Sequence, residues 1–167
     1  SWDEVSKELY ARNDFGRQIK INIDECSDYV KSLSGKSDYD RMRFIHRFVI
    51  DNTTWDGSRG ILTSEGVKTL WKNKTGTAAE INLLLVGMLQ DAGLEAYPML
   101  VSERGNGRIN KAAPFISLTR CMRRLRSATS GIISMQPTRT RRPISHLTAF
   151  LTAARLSLIT GTVASST

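Results

Sequence analysis

Residues 77–93, Thr-Ala-Ala-Glu-Ile-Asn-Leu-Leu-Leu-Val-Gly-Met-Leu-Gln-Asp-Ala-Gly, constrain the fold more than any other stretch. Thr77 followed three positions later by Glu80 is a capping box, the reciprocal pair that satisfies the unpaired amides where a helix begins. Ala78 is then the first helical residue. Ile81, Leu84, Leu85, Met88 and Leu89 recur at helical spacing, and Leu83 and Val86 extend the apolar surface nearly all round, as in a helix buried on more than one side. Gly93 is placed to end it with a left-handed cap. Residues 96–102 then alternate like a strand, and Asn106-Gly107 is a hairpin turn signal. A buried helix followed by a strand predicts an α+β fold.

At 167 residues the chain is long enough to bury a core. Its 40% hydrophobic and 24% charged residues are those of an ordinary globular protein. No apolar run is long enough to cross a bilayer and no secretory signal opens the chain. Ser1-Trp2-Asp3 runs straight into a helical pattern, as expected of a piece of something longer. Cys26 and Cys121 make neither a disulfide framework nor a metal-site spacing, so they do not reveal the compartment. No metal and no cofactor are expected.

The net charge of +8 is unevenly placed. All sixteen acidic residues, and sixteen of the twenty-four Lys and Arg, fall within residues 1–112. The surplus is Arg120, Arg123, Arg124, Arg126, Arg139, Arg141, Arg142 and Arg155. From residue 113 onward there is no Asp, Glu or Lys, which divides the chain into a main portion, 1–112, and an Arg/Ser/Thr-rich tail, 113–167.

In chain order, residues 3–10 read as a short helix and 21–33 as a second, with Ile21, Cys26, Tyr29, Val30 and Leu33 on its apolar side. Cys26 reads as a small buried hydrophobe. A turn at 34–38 precedes a stronger helix capped by Ser37 or Asp38, with Met42, Ile45, Phe48 and Val49 at helical spacing and His46 between. Residues 51–57 break that helix. Trp55 is expected in the core, where its ring buries area and its indole nitrogen finds a partner. Ser64 or Thr63 is expected to cap a short helix running to Trp71. Arg104 and Arg108, flanking the hairpin turn, read as solvated arginines rather than an anion nest.

Trp71, a short basic loop, Gly76, Thr77, Ala78, Ala79, Glu80 and the apolar helix ending at Gly93 resemble the motif of the transglutaminase-like superfamily of papain-type fold. The loop at 102–110 and Pro114-Phe115 resemble a bacterial subgroup in which such a domain follows a β-rich domain in exported proteins. The resemblance is clearest from residue 39 to 115, weaker before and absent afterwards. It implies a periplasmic or otherwise exported setting and a preceding β-rich domain as a partner. It also implies a nucleophilic thiol on the first turn of the helix, where free amides and the helix dipole lower its pKa. The equivalent residue is Ala78, and a methyl group cannot attack an acyl carbon. Thr77 beside it belongs to the cap. His46 precedes the nucleophile position, whereas the family's histidine follows it on a strand. The catalytic set implied by the resemblance is therefore none.

Family members continue with strands carrying the triad histidine and a run of the form Trp-Tyr-x-apolar-Asp-Ala-Thr. Back-translating residues 130–140 and reading one nucleotide earlier forces an Ala codon at Met135-Gln136, and synonymous choices elsewhere allow Trp-Tyr-Tyr-Leu-Asp-Ala-Thr-Asp-Pro-Tyr. The hypothesis is a frame change near residues 115–120 that leaves the domain without its C-terminal strands, residues 96–102 short of partners and the tail poorly ordered. Coding DNA around Met135 that fails to spell the acidic motif in the neighbouring frame would end it. Ile144, Leu147, Leu151, Ala154 and Leu158 make a helical stripe that is able to cover part of the exposed surface.

Three functions compete on these grounds. One is a non-catalytic transglutaminase-like module with a structural or recognition role in a larger exported protein. The second is a thiol-dependent acyl-transfer or peptidase enzyme, which needs Cys, His and Asp within hydrogen-bonding reach. The third is a basic tail that binds nucleic acid or anionic membrane non-specifically through counterion release.

Overall fold

The computed structural model describes residues 2–101 and 120–125. In chain order the elements are α1 (Trp2–Ala11), α2 (Gly16–Ile19), α3 (Asp24–Ser32), α4 (Asp38–Asn52), β1 (Thr54–Trp55), α5 (Val67–Asn73), β2 (Thr75–Gly76), α6 (Ala78–Asp91), β3 (Ala96–Val101) and β4 (Arg120–Leu125). Helices surround α6 on one side and the β3–β4 ribbon covers it on another, an α+β arrangement.

Helix α6 is buried from Ala78 through Leu89. Leu83, Leu85, Val86 and Leu89 lie at its centre, and truncating any one of these leucines to Ala would cost roughly 2–5 kcal/mol. Gly87 allows α2 to approach: a Cβ there would sit 2.5 Å from the Ile19 carbonyl oxygen. The helix ends in a Schellman motif, with Gly93 at φ +78°. The Gly93 and Leu94 amides donate back to the Gln90 and Leu89 carbonyls, at 2.9 and 3.0 Å. Arg41 of α4 donates to the Ala92 carbonyl at the C-cap.

Ser37 caps α4, its hydroxyl accepting from the Asp40 amide at 3.2 Å. Tyr29 of α3 stacks on Phe48 of α4 at 3.9 Å, and Phe48 on Trp71 of α5 at 5.5 Å. The Trp71 indole N–H donates to Glu25 Oε2 at 2.9 Å, and the Lys74 ammonium lies 3.2 Å from the ring centroid. This ladder ties three helices together before the chain reaches α6.

Four expectations are corrected. The second helix starts at Asp24, not Ile21, because Ile23 is extended at the N-cap and Ile21 and Ile23 pack on the core from that extended segment. The helix before Trp71 starts at Val67 with Gly66 at its N-cap, so neither Ser64 nor Thr63 caps it. Trp55 is half-buried against the core rather than within it; its ring faces the Arg59 guanidinium at 5.7 Å and its indole N–H is bonded to the loop carbonyl of Ser58. Strand β3 is not left alone: β4, from the basic tail, pairs with it antiparallel from Ala96↔Leu125 to Val101↔Arg120. Pro98 sits in this pair, which suits a strand on a sheet edge since proline has no N–H to offer. The hairpin at Asn106-Gly107, Arg104 and Arg108, Pro114-Phe115 and the tail stripe from Ile144 to Leu158 lie outside the described residues.

Candidate functional site

The head of α6 is built by three segments that meet there. β1 and β2 pair in parallel, Thr54↔Thr75 and Trp55↔Gly76, and bring Trp55 alongside the turn into the helix. The Thr54 and Asp56 amides donate to the Lys74 and Gly76 carbonyls at 2.7 and 3.0 Å. Gly76 is closely surrounded: a Cβ would lie 2.6 Å from Glu80 Oε2 and 2.8 Å from Leu70 Cδ1, so both side chains would have to shift.

Thr77 is the N-cap, extended at φ −73° and ψ 163°. Its Oγ1 accepts from the Glu80 amide at 3.3 Å, and Glu80 Oε2 accepts from the Thr77 amide at 2.9 Å. Glu80 does more than close that box. Its other oxygen, Oε1, accepts from three consecutive amides, Ser64 at 2.9 Å, Glu65 at 2.8 Å and Gly66 at 3.0 Å. The residue is 3% exposed. Burial pushes its pKa up, but the amides of Thr77, Glu65, Gly66 and Ser64 outweigh it and hold the carboxyl below its ordinary 4.5. The carboxylate is thus ionised at neutral pH; it caps α6 and at the same time gathers the amides of the segment that leads into α5.

Ala78, the position where a nucleophile would stand, is 1% exposed. Its N–H donates to the Ser58 carbonyl at 3.2 Å, and the Trp55 indole N–H donates to that same oxygen at 2.8 Å. Ser58 is held in this place by an Asx turn, its amide donating to Asp56 Oδ1 at 2.6 Å. Inside the helix, Asn82 is buried and its Nδ2 donates to the Ala78 carbonyl at 2.8 Å. The chain therefore places two convergent N–H donors at the head of α6 and fills them with its own carbonyl.

Other reactive residues lie elsewhere. His46 is half-buried on α4. Cys26 of α3 is 4% exposed, and burial pushes its thiol from an ordinary 9.0 up to about 12, with Lys74 opposing and Glu25 and Asp91 adding slightly. It is an inert packed thiol, as free buried Cys commonly is. The cavity beside it, lined by Ile19, Cys26, Leu84, Gly87 and Met88 among others, measures about 10 Å³, room for no more than one water. Among the described residues no group of three or more His, Cys, Asp or Glu is placed to hold a metal ion, and no helix is long and apolar enough to cross a membrane.

The sequence left three contributors unread. They are the Ser58 carbonyl, the Trp55 indole N–H as its partner, and the second duty of Glu80. For the first of them the sequence carries only the helix break that ends at Gly57, one residue before Ser58.

This α+β arrangement has a counterpart among solved structures. A candidate protease from Parabacteroides distasonis superposes with a TM-score of 0.52 over 74% of this chain, at 17% sequence identity. The chain spans 24% of the length of that protein. At that identity the likeness is one of fold. No family model matches the chain, and no curated protein does.

Proposed function

We propose that the chain is a transglutaminase-like module in which the head of α6 is a structural junction rather than a reactive centre, serving a structural or recognition role in a larger exported protein. The observation that carries this reading is the state of Ala78: a methyl, 1% exposed, with its N–H already bonded to the Ser58 carbonyl. Acyl transfer at this place needs a nucleophile and free donors aimed at a developing oxyanion. Ala78 offers no nucleophile, and the donors of Ala78 and Trp55 are occupied. The motif from Trp71 to Gly93 and the likeness of fold support the class, and the exported setting follows from the class alone.

Incubation of the full chain with a glutamine-containing peptide and a primary amine tests the reading. Ammonia release no faster than in buffer is expected. Release that disappears when residues 77–80 are altered contradicts it.

A further inference from the structure

The most heavily bonded side chain at the head of α6 is one that the reading above does not use as chemistry. The four hydrogen bonds to the Glu80 carboxylate come from backbone amides, three on the approach to α5 and one at the start of α6. The charge is therefore met by backbone amide dipoles, those of the loop into α5 and of the α6 N-cap, rather than by a cation. Helix α5 is seven residues long, too short to persist without tertiary support, and its N-cap, Gly66, has no side chain with which to cap it. A further external acceptor at its start is Gln18, whose Oε1 takes the Val67 amide at 3.0 Å. Helix α6, by contrast, is fourteen residues long and enclosed by the core.

We propose that Glu80 is a latch between the start of α5 and the head of α6, and that neutralising it opens this junction locally while the core around α6 stays folded. The opening frees the amides of residues 64–66 and of Thr77. The charged side chains of the adjoining segments are Asp56, Arg59 and Glu65, all exposed, Lys68 and Lys72 on α5 and Lys74 just after it, also exposed, and the Arg12–Asp14 pair beneath Thr63. The bonds that hold the carboxylate come from the backbone instead, so the charge on Glu80 itself sets the latch.

Hydrogen exchange on the full chain, read by mass spectrometry at neutral pH, tests the latch. In Glu80→Gln, which removes the charge and turns one acceptor into a donor, peptides covering 64–67 should exchange about 10- to 100-fold faster, the factor for losing a charge-assisted hydrogen bond. Peptides within 83–92 should keep their wild-type rates. Unchanged exchange at 64–67 overturns the proposal. If the variant unfolds as a whole, acid titration of the wild type decides: exchange at 64–67, corrected for its intrinsic pH dependence, should rise before the near-ultraviolet dichroism of the core is lost. Loss of both together overturns the latch.

Discussion

Helices α5 and α6 begin eleven residues apart, at Val67 and Ala78, and one carboxylate holds the amides that lead into both, but they stand in different relations to it. Helix α6 carries its cap in its own first turn, Thr77 to Glu80, and is then buried on all sides as far as Leu89. Helix α5 starts from a glycine and takes its acceptors from Glu80, fourteen residues ahead, and from Gln18, forty-nine residues behind. The difference separates two sources of helix stability. A long apolar helix with a local cap is specified by its own sequence, whereas a short one is specified by what the fold brings to it.

The comparison breaks most severely at Glu80. Glu80→Ala leaves four amides without their acceptor and should cost about 3–5 kcal/mol in urea unfolding. The cost depends on pH with a definite sign. The folded carboxyl lies below 4.5, so its stabilisation is complete above that value and is lost as pH falls through the folded pKa. The gap between wild type and variant should narrow on acidification below 4.5; a widening gap contradicts the capping role.

At the start of α5 alone, Gly66→Ala should cost roughly 2 kcal/mol, because φ +90° with ψ 166° is a glycine-only conformation. A Cβ would also meet Gln18 Oε1 at 2.8 Å. A thermal melt matching wild type would show that α5 does not need this geometry. At the start of α6 alone, Thr77→Ala removes one short-range cap and should cost about 1 kcal/mol. If Thr77→Ala proved the costlier of the two, the contrast between the helices would be reversed.

The same contrast explains how much is legible without the fold. The capping box, the stripe of α6 and its Gly93 end are local patterns, and they stand where the residues imply. The late start of α5 is not legible, since Ser64 and Thr63 are good capping residues and only the fold reveals that the amides of 64–66 are taken by Glu80. Large rings usually lie in the core, which is why Trp55 misleads in part; its indole finds the partner expected of it, the Ser58 carbonyl, but the ring packs against the core rather than within it. Strand β4 is hidden by composition, because an arginine-rich, acid-free stretch gives no sign of the six-residue register it makes with β3. At the candidate site the identities of Thr77, Ala78 and Glu80 are plain, but the sealing of Ala78 by a carbonyl twenty residues earlier is a product of folding.

Restoring the absent sulfur is the most direct measurement on the head of α6. Ala78→Cys places a thiol where the motif would have one, at the backbone position already bonded to the Ser58 carbonyl. Assayed with a glutamine-containing peptide, and mapped by mass spectrometry for an acyl adduct on the introduced thiol, the variant should remain without turnover and without adduct. An acyl group linked to that sulfur, or ammonia release above the wild-type level, would show that the junction retains the means of catalysis and would contradict its reading as a sealed structural joint.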